Sequence, residues 1–175
     1  MKRIALALAL LLLPALAFAY PFSDLAHRGQ VSVSSGYLRF QSQGSPAWQG
    51  VDIAPALTYS AHSRLSLFAQ YGRGFPLSGN RAQSNQARVA ANLLVYPGPS
   101  TTASKYSLSA GAGPMWLGTT TLKDEGGLEA HLTGTAETPW PRVALYGTFT
   151  HLFPWQQEHK DIDQIRAGLN LGIWP

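Results

Sequence analysis

The chain alternates apolar and polar residues over long stretches, and residues 51–73 show this pattern most clearly. Val51, Ile53 and every second residue up to Ala61 fall on one face, while Asp52 and its alternates fall on the other. A period of two is the signature of a β-strand, because successive side chains point to opposite faces. Strands in soluble proteins average about five or six residues, whereas a strand that crosses a bilayer needs about nine to eleven. The segment therefore predicts a hairpin long enough to span a membrane.

Eight alternating segments follow one another between residue 30 and the C-terminus, and we find no helical periodicity after residue 19. Proline-containing breakers separate several of them, as at Pro97-Gly98-Pro99 and Pro139-Trp140-Pro141. Pro55 and Pro114 fall inside predicted strands. Because a closed barrel has no edge at which to hide a missing donor, we expect a bulge at each of these two prolines.

The first segment, residues 30–41, is the least regular of the eight. Val31 and Val33 share one phase of the alternation, but Leu38 and Phe40 share the other. A bulge near Ser34-Ser35-Gly36 would bring all four apolar residues to the same face. The bulge would turn three residues inward, namely Tyr37, Arg39 and Gln41.

The first 19 residues have the three parts of a secretory signal peptide: a basic start, an apolar run over 4–18, and the small-x-small site Ala17-Phe18-Ala19. We therefore predict a signal peptide over 1–19 and one domain over 20–175. The absence of Cys from the sequence excludes disulfides and thiolate metal sites. Removing Lys2 and Arg3 would lower the net charge of +4 to +2, which is too little to indicate a nucleic-acid partner.

Alternation alone is also compatible with a soluble barrel, so composition has to decide which face lies outside. Charged residues make up 13% of the chain, about half the usual share in soluble proteins. The polar face is mostly Gly, Ala, Ser and Thr, and Lys105, Lys123 and Lys160 lie in predicted turns or loops. A soluble barrel needs a solvated, charged outer face, whereas small residues fit inside a narrow lumen. The predicted fold class is all-β: an eight-stranded antiparallel up-and-down transmembrane β-barrel.

The connections after the first, third, fifth and seventh strands look long and polar, and the other connections tend to be shorter. Long outer loops and short periplasmic turns are typical of such barrels, so we expect residues 43–49, 75–84, 118–126 and 154–161 to lie outside the cell. Aromatic residues group near both edges of the predicted barrel, as interfacial anchoring requires. The predicted girdles contain Tyr59, Tyr71, Tyr106, Trp116, Trp140, Phe153 and Trp174.

This arrangement of eight alternating strands behind a signal peptide resembles the small eight-stranded outer-membrane proteins, the group that includes the OmpA transmembrane domain, OmpX and OmpW. The resemblance covers residues 20–175 and is one of architecture. It implies a monomer in the outer membrane, in contact with lipid and lipopolysaccharide, whose loops bind an extracellular ligand or protein. Members usually end on an aromatic residue, and here Trp174 is followed by Pro175.

We predict no enzyme, cofactor or metal site, because the sequence has no phosphate loop, His-x-His pair or nucleophile elbow. His131 shares an inward phase with Glu129, which favours a hydrogen-bonded lumen residue over a catalytic one. His151 would lie on the outer rim. Lipid A deacylases carry a His and a Ser two residues apart on one strand, but Phe153 occupies that position here.

Six inward-facing titratable residues are predicted to meet in the upper half of the lumen. They are Arg39, Asp52, Arg88, Glu129, His131 and Arg166. An eight-stranded lumen is only wide enough for side chains, so we expect a filled scaffold that acts through its surface. The alternative is a narrow channel for small or hydrophobic solutes, as in OmpW-like barrels. A lipid-modifying enzyme and a secreted ligand-binding barrel are less favoured.

Overall fold

A computed structural model of the protein describes residues 29–42, 47–62, 64–77, 82–96, 106–119, 125–156 and 160–174. Each strand pairs with the next in antiparallel fashion and the last closes on the first, which confirms the predicted fold class. The predicted signal peptide, 1–19, lies outside the described residues. Within them, no α-helix has the length and hydropathy needed to cross a bilayer. The strands are β1 (Gly29–Ser42), β2 (Trp48–His62), β3 (Leu65–Pro76), β4 (Ser84–Tyr96), β5 (Tyr106–Thr119), β6 (Glu125–Glu137), β7 (Val143–Pro154) and β8 (Ile162–Trp174).

The two faces of the barrel wall have the chemistry that the alternation predicts. Outward side chains are apolar and exposed, as for Leu57 at 54% and Leu93 at 53%. Inward side chains include charged ones with no exposed surface, such as Asp52 and Glu129. An apolar outer face and a polar interior are the reverse of a soluble barrel and match a wall that is solvated by lipid.

The predicted bulge in the middle of β1 is wrong. The pairing of β1 with β2 is uninterrupted from Gly29 to Phe40, and the pairing with β8 shifts only between Val31 and Ser32. Tyr37, Arg39 and Gln41 therefore point outward, while Leu38 and Phe40 are buried in the lumen. The apolar pair changes phase because it packs against other apolar side chains inside the barrel, and the strand itself stays regular.

The bulges expected at Pro55 and Pro114 are also absent. The pairing of β2 with β3 passes from Ile53–Arg73 to Ala56–Gln70 without a pair between them, and the register is unchanged. The pairing of β4 with β5 is interrupted in the same way beside Pro114. A residue in an antiparallel strand directs its N–H toward one neighbour only, so each proline weakens one ladder and leaves the other intact.

The barrel has two ends that the connections define. We call the end with connections 43–47, 77–83, 120–124 and 155–161 the loop end. The terminal end carries 63–64, 97–105 and 138–142, together with the start of β1 and the last residues of β8. The expectation that terminal-end connections are shorter is wrong for 97–105, which is longer than any connection at the loop end. Loop length therefore does not define the orientation in a membrane.

Candidate functional site in the lumen

Inward-facing side chains fill the lumen in two layers of opposite chemistry. The layer nearer the loop end, which we call the apolar layer, contains Leu38, Phe40, Trp48, Met115, Leu117, Leu152 and Ile162. The layer below it, which we call the polar network, contains Ser34, Asp52, Gln70, Gln86, Arg88, Asn92, Glu129, His131, Gln164 and Arg166.

The apolar layer is organised around Trp48 at the start of β2. Its indole ring stacks on Phe40, with ring centroids 5.0 Å apart and planes at 11°. Its Nε1 donates a hydrogen bond to the carbonyl oxygen of Ala82 at 2.8 Å, so the polar handle of the ring is satisfied. A Cβ at Gly50 or at Gly74 would collide with this ring. The two glycines thus create the space in which Trp48 lies flat across the lumen.

Gln70 is the centre of the polar network. Its Oε1 accepts hydrogen bonds from Arg166 Nη1 at 2.7 Å and from Arg88 Nε at 2.8 Å. Its Nε2 donates to Ser34 Oγ at 3.1 Å. Arg166 also forms an ion pair with Asp52. One neutral amide thereby holds two guanidinium groups in a fixed arrangement without adding charge.

The second carboxylate of the network, Glu129, lies on β6 and contacts two basic side chains. Its Oε2 lies 3.6 Å from Arg88 Nη1, and its Oε1 lies 3.2 Å from His131 Nδ1. His131 Nε2 reaches over Gly111 to the Oδ1 of Asn92 at 2.8 Å. A Cβ at Gly111 would lie 2.6 Å from the His131 ring, so this contact across three strands depends on a glycine between them.

The network is balanced in charge. Two guanidinium groups, Arg88 and Arg166, face two carboxylates, Asp52 and Glu129, and all four side chains are at most 6% exposed. Charges are tolerated away from bulk water when each has a partner, and the loss of one partner is strongly destabilising. The arrangement can therefore hold the strands together and block ions, provided that no member is removed.

A polar cavity of about 120 Å³ lies on the terminal side of the network. Its lining is rich in hydroxyl groups, including Thr58, Ser109 and Thr133. Among the described residues, Tyr146 Oη and Asn170 Oδ1 are buried there without a hydrogen-bond partner. A cavity of this size with several polar groups has room for a few ordered waters. The terminal half of the lumen consequently contains a polar cavity that ends at the polar network.

The structure brings five of the six predicted cluster residues together and excludes the sixth. Arg39 lies exposed on the outer face, where its Nη2 donates to Gln41 Oε1 at 3.3 Å. The sequence pattern did not predict the role of Gln70 or the presence of the apolar layer. A signal for the layer existed, because Leu117, Leu152 and Ile162 have the inward phase of their strands. Near the loop end, apolar residues occur on both phases.

The described side chains of the predicted girdles all lie on the outside of the barrel or at its mouth. Tyr71, Trp116 and Phe153 lie toward the loop end, and each is more than 40% exposed. Tyr59 and Tyr106 lie toward the terminal end, as does Trp140 in the turn between β6 and β7. The side chain of Trp174 lies outside the described residues. The grouping at two levels fits the expected interfacial positions.

On the outer rim, His151 contacts two carboxylates. Its Nδ1 lies 2.6 Å from Asp163 Oδ1, and its Nε2 lies 3.5 Å from Asp161 Oδ2. The ring of Phe153 packs edge-on against the imidazole of His151, with the ring centroids 4.4 Å apart. Phe153 lies in the position where a deacylase would carry its serine. Within the described ranges, no group of three or more His, Cys, Asp or Glu residues is arranged to hold a metal ion. The rim cluster is therefore a histidine held between two carboxylates, with an aromatic ring beside it.

No protein-family model matches the sequence, and no curated protein matches it significantly. The fold is similar to solved outer-membrane barrels. Neisserial surface protein A matches with a TM-score of 0.58 and 12% identity over 82% of this chain and 96% of that one. The N-terminal barrel domain of OprF from Pseudomonas aeruginosa matches with a TM-score of 0.53 and 10% identity over 82% and 100%. Ail from Yersinia pestis, solved in complex with the heparin analogue sucrose octasulfate, matches with a TM-score of 0.51 and 9% identity over 83% and 98%. The chain thus has the architecture of the small eight-stranded outer-membrane barrels, at identities that define the fold alone.

Proposed function

We propose that the protein is an integral outer-membrane scaffold whose occluded barrel presents its loops to the cell exterior and performs no catalysis. The observation that carries this proposal is the double closure of the lumen. The apolar layer places seven side chains that are at most 4% exposed in the lumen, and the polar network below it adds paired charges. A barrel filled in this way has no open path for a solute, so its interaction surface lies outside.

The membrane location is supported by the apolar outer wall and by the fold it shares with outer-membrane proteins. We expect the mature protein to fractionate with outer membranes, to require detergent for extraction, and to migrate differently on gels before and after boiling. Recovery of the mature protein from the periplasm without detergent would contradict the proposal.

The loops at the loop end, 43–49, 75–84, 118–126 and 154–161, are the proposed contact surface. Large apolar side chains are exposed there, with Leu77 at 60% and Trp155 at 59%. A protein with a related fold, Ail, has been crystallised with a sulfated heparin analogue, which supports a polyanionic ligand as the first to test. Protease added to whole cells should cut one of these loops and spare 97–105. The opposite cleavage pattern would reverse the orientation and remove the loops from the exterior.

A narrow channel is the second candidate, and the polar cavity of about 120 Å³ is the observation that favours it. Conduction would require both layers to open, because they lie one behind the other along the same lumen. Conductance in a planar bilayer separates the two functions. We expect the wild-type protein to conduct poorly, and steady single-channel currents at neutral pH would favour the channel.

A further inference from the structure

An apolar groove runs across the outer wall of the barrel from β1 to β5, and it has a volume of about 440 Å³. Its floor is formed where outward side chains are small, at Pro55, Ala69 and Ala87. Larger side chains border it, namely Val31, Leu57, Tyr71, Val89 and Trp116. These border residues are 38% to 54% exposed, so they stand above the floor as walls.

The depth of the groove follows from the local sequence. Ala69 pairs with Val89, and Tyr71 pairs with Ala87, so small and large residues alternate diagonally across β3 and β4. The ladder between β2 and β3 is interrupted beside Pro55. Here the inward-facing residues Gln70 and Arg88 also line the groove. Toward the outside, the surface of the groove is almost entirely apolar.

A positively charged side chain, Arg73, lies just beyond the groove on the side of the loop end. Arg73 points outward from β3, two residues beyond Tyr71, which advances the strand by about 6.6 Å. Its hydrogen-bond partner is a neutral amide, because its Nε donates to Gln83 Oε1 at 3.1 Å. Asn85 pairs with Arg73 across the sheet and accepts a hydrogen bond from Tyr71 Oη at 3.4 Å. The mouth of the groove is therefore rich in donors and positively charged.

We propose that this groove is a lipid A site: one acyl chain lies along Pro55, Ala69 and Ala87 while a phosphate pairs with Arg73. The vertical order of the two parts matches such a lipid, with an apolar slot toward the membrane centre and a guanidinium at the loop end. Arg forms strong, often bidentate hydrogen bonds with phosphate. The inference rests on the proposed outer-membrane location with the loop end outward, because lipid A occupies the outer leaflet.

The chain provides a matched control for the charge. Arg39 also points outward near the loop end and also donates to a neutral glutamine, Gln41. Its surroundings differ, because Gln41 pairs with Asp163, and Asp161 lies close to the same histidine as Asp163. Two carboxylates near the start of the adjacent strand β8 disfavour a phosphate on this side of the barrel, and Arg39 does not line the groove. The two arginines share exposure and hydrogen bonding but differ in what lies around them.

The test is lipid retention by the full-length mature protein in a neutral detergent, measured by native mass spectrometry. Lipid A, phosphatidylglycerol and phosphatidylethanolamine are offered at equal concentrations. We expect lipid A to be retained preferentially. Arg73→Gln should weaken its binding about tenfold, as the loss of a charge-assisted hydrogen bond implies. Ala87→Leu should weaken it by filling the floor. Arg39→Gln, and Ala130→Leu on the outer face of β6, should leave it unchanged.

Three results would overturn the site: equal lipid A retention by wild type and Arg73→Gln, an equal loss in Arg39→Gln, or retention of either phospholipid as strong as that of lipid A. Heat-dependent gel mobility, measured on every variant, reports whether the barrel is folded. Its loss in the wild-type protein would overturn the proposed membrane barrel together with the site. If gel mobility is normal and lipid A binding is the same with and without Arg73, only the proposed site is overturned.

Discussion

The two layers of the lumen close the same barrel by different physical means. The apolar layer works by packing: its side chains are at most 4% exposed, and Trp48 spans the space that Gly50 and Gly74 leave open. The polar network works by pairing, with two guanidinium groups balanced against two carboxylates and bridged by Gln70. One layer is sensitive to missing volume, and the other is sensitive to a missing partner.

This difference shows why a narrow barrel benefits from both layers. A packed apolar layer excludes water but carries little information about strand register. A network of directional bonds between β1, β2, β3, β4, β6 and β8 requires one register, because a shift of one residue would turn its charges into the membrane. The apolar layer in turn shields the network from bulk water at the loop end, which strengthens its electrostatic contacts.

The largest effect is expected from removing the central ring of the apolar layer. Trp48→Ala deletes the stacking on Phe40 and leaves a void, and such changes typically lower the free energy of unfolding by about 3–5 kcal/mol. Urea unfolding in lipid vesicles, followed by gel mobility, measures this loss. Trp140→Ala, in an exposed turn, should cost less than about 1 kcal/mol. Equal losses in both variants would mean that the layer does not pack as described.

Removing one partner from the polar network should have the next largest effect. Glu129→Ala leaves Arg88 and His131 facing a void. We expect a loss of about 3 kcal/mol, the lower end for a buried pair, because the adjacent polar cavity has room for water that would screen the charge left behind. Glu137→Ala, an exposed acid on the same strand, is the control. Stability of Glu129→Ala at the wild-type level would show that the charges are merely solvated.

Conductance sharpens the comparison further. Because the layers lie in series, Trp48→Ala and Glu129→Ala should each leave the conductance low, and only the double variant should open a path. Conduction by Glu129→Ala alone would show that the apolar layer does not seal the loop end.

A smaller loss of stability is expected from a substitution at Gly111, where the missing side chain leaves room for the network. Gly111→Ala places a methyl group against the His131 ring and should cost about 1–3 kcal/mol by overpacking. Gly134→Ala, whose Cβ would meet no atom within 4 Å, is the matched control on the neighbouring strand β6. Thermal unfolding of the two variants should differ in that direction, and an identical result would contradict the close contact between His131 and Asn92 across Gly111.

The smallest effect is expected at Arg39, which the sequence alone assigns to the cluster. Arg39→Ala should change the free energy of unfolding by no more than about 0.5 kcal/mol, as is usual for exposed positions. Arg88→Ala, in contrast, should be as damaging as Glu129→Ala. A large loss at Arg39 would return it to the network and would contradict the outward phase of β1.

The alternation located most of the lumen because the register shifts lie near the terminal end, and the strands keep one phase through the charged residues of the network. The period of two alone was enough to predict the inward-facing residues Asp52, Arg88, Glu129, His131 and Arg166, since side chains two residues apart share a face. Gln70 was not, because an uncharged residue has no signal in a search for charge clusters. Its importance arises from two arginines on β4 and β8 that meet at one oxygen atom.

The sequence by itself determined the fold class, the number of strands and the apolar outer wall of this protein, since a period of two and a low content of charge are properties of the chain. Only the tertiary structure decided which phase of β1 enters the lumen. In one strand, Leu38 and Phe40 are equally suited to lipid and to an apolar interior. The choice depends on Trp48, Met115 and Leu152 from three other strands, which together create an apolar environment inside the barrel. The alternation of side chains between two faces is a local property of a strand, but the polarity of the space that a side chain enters is set by its neighbours in the fold.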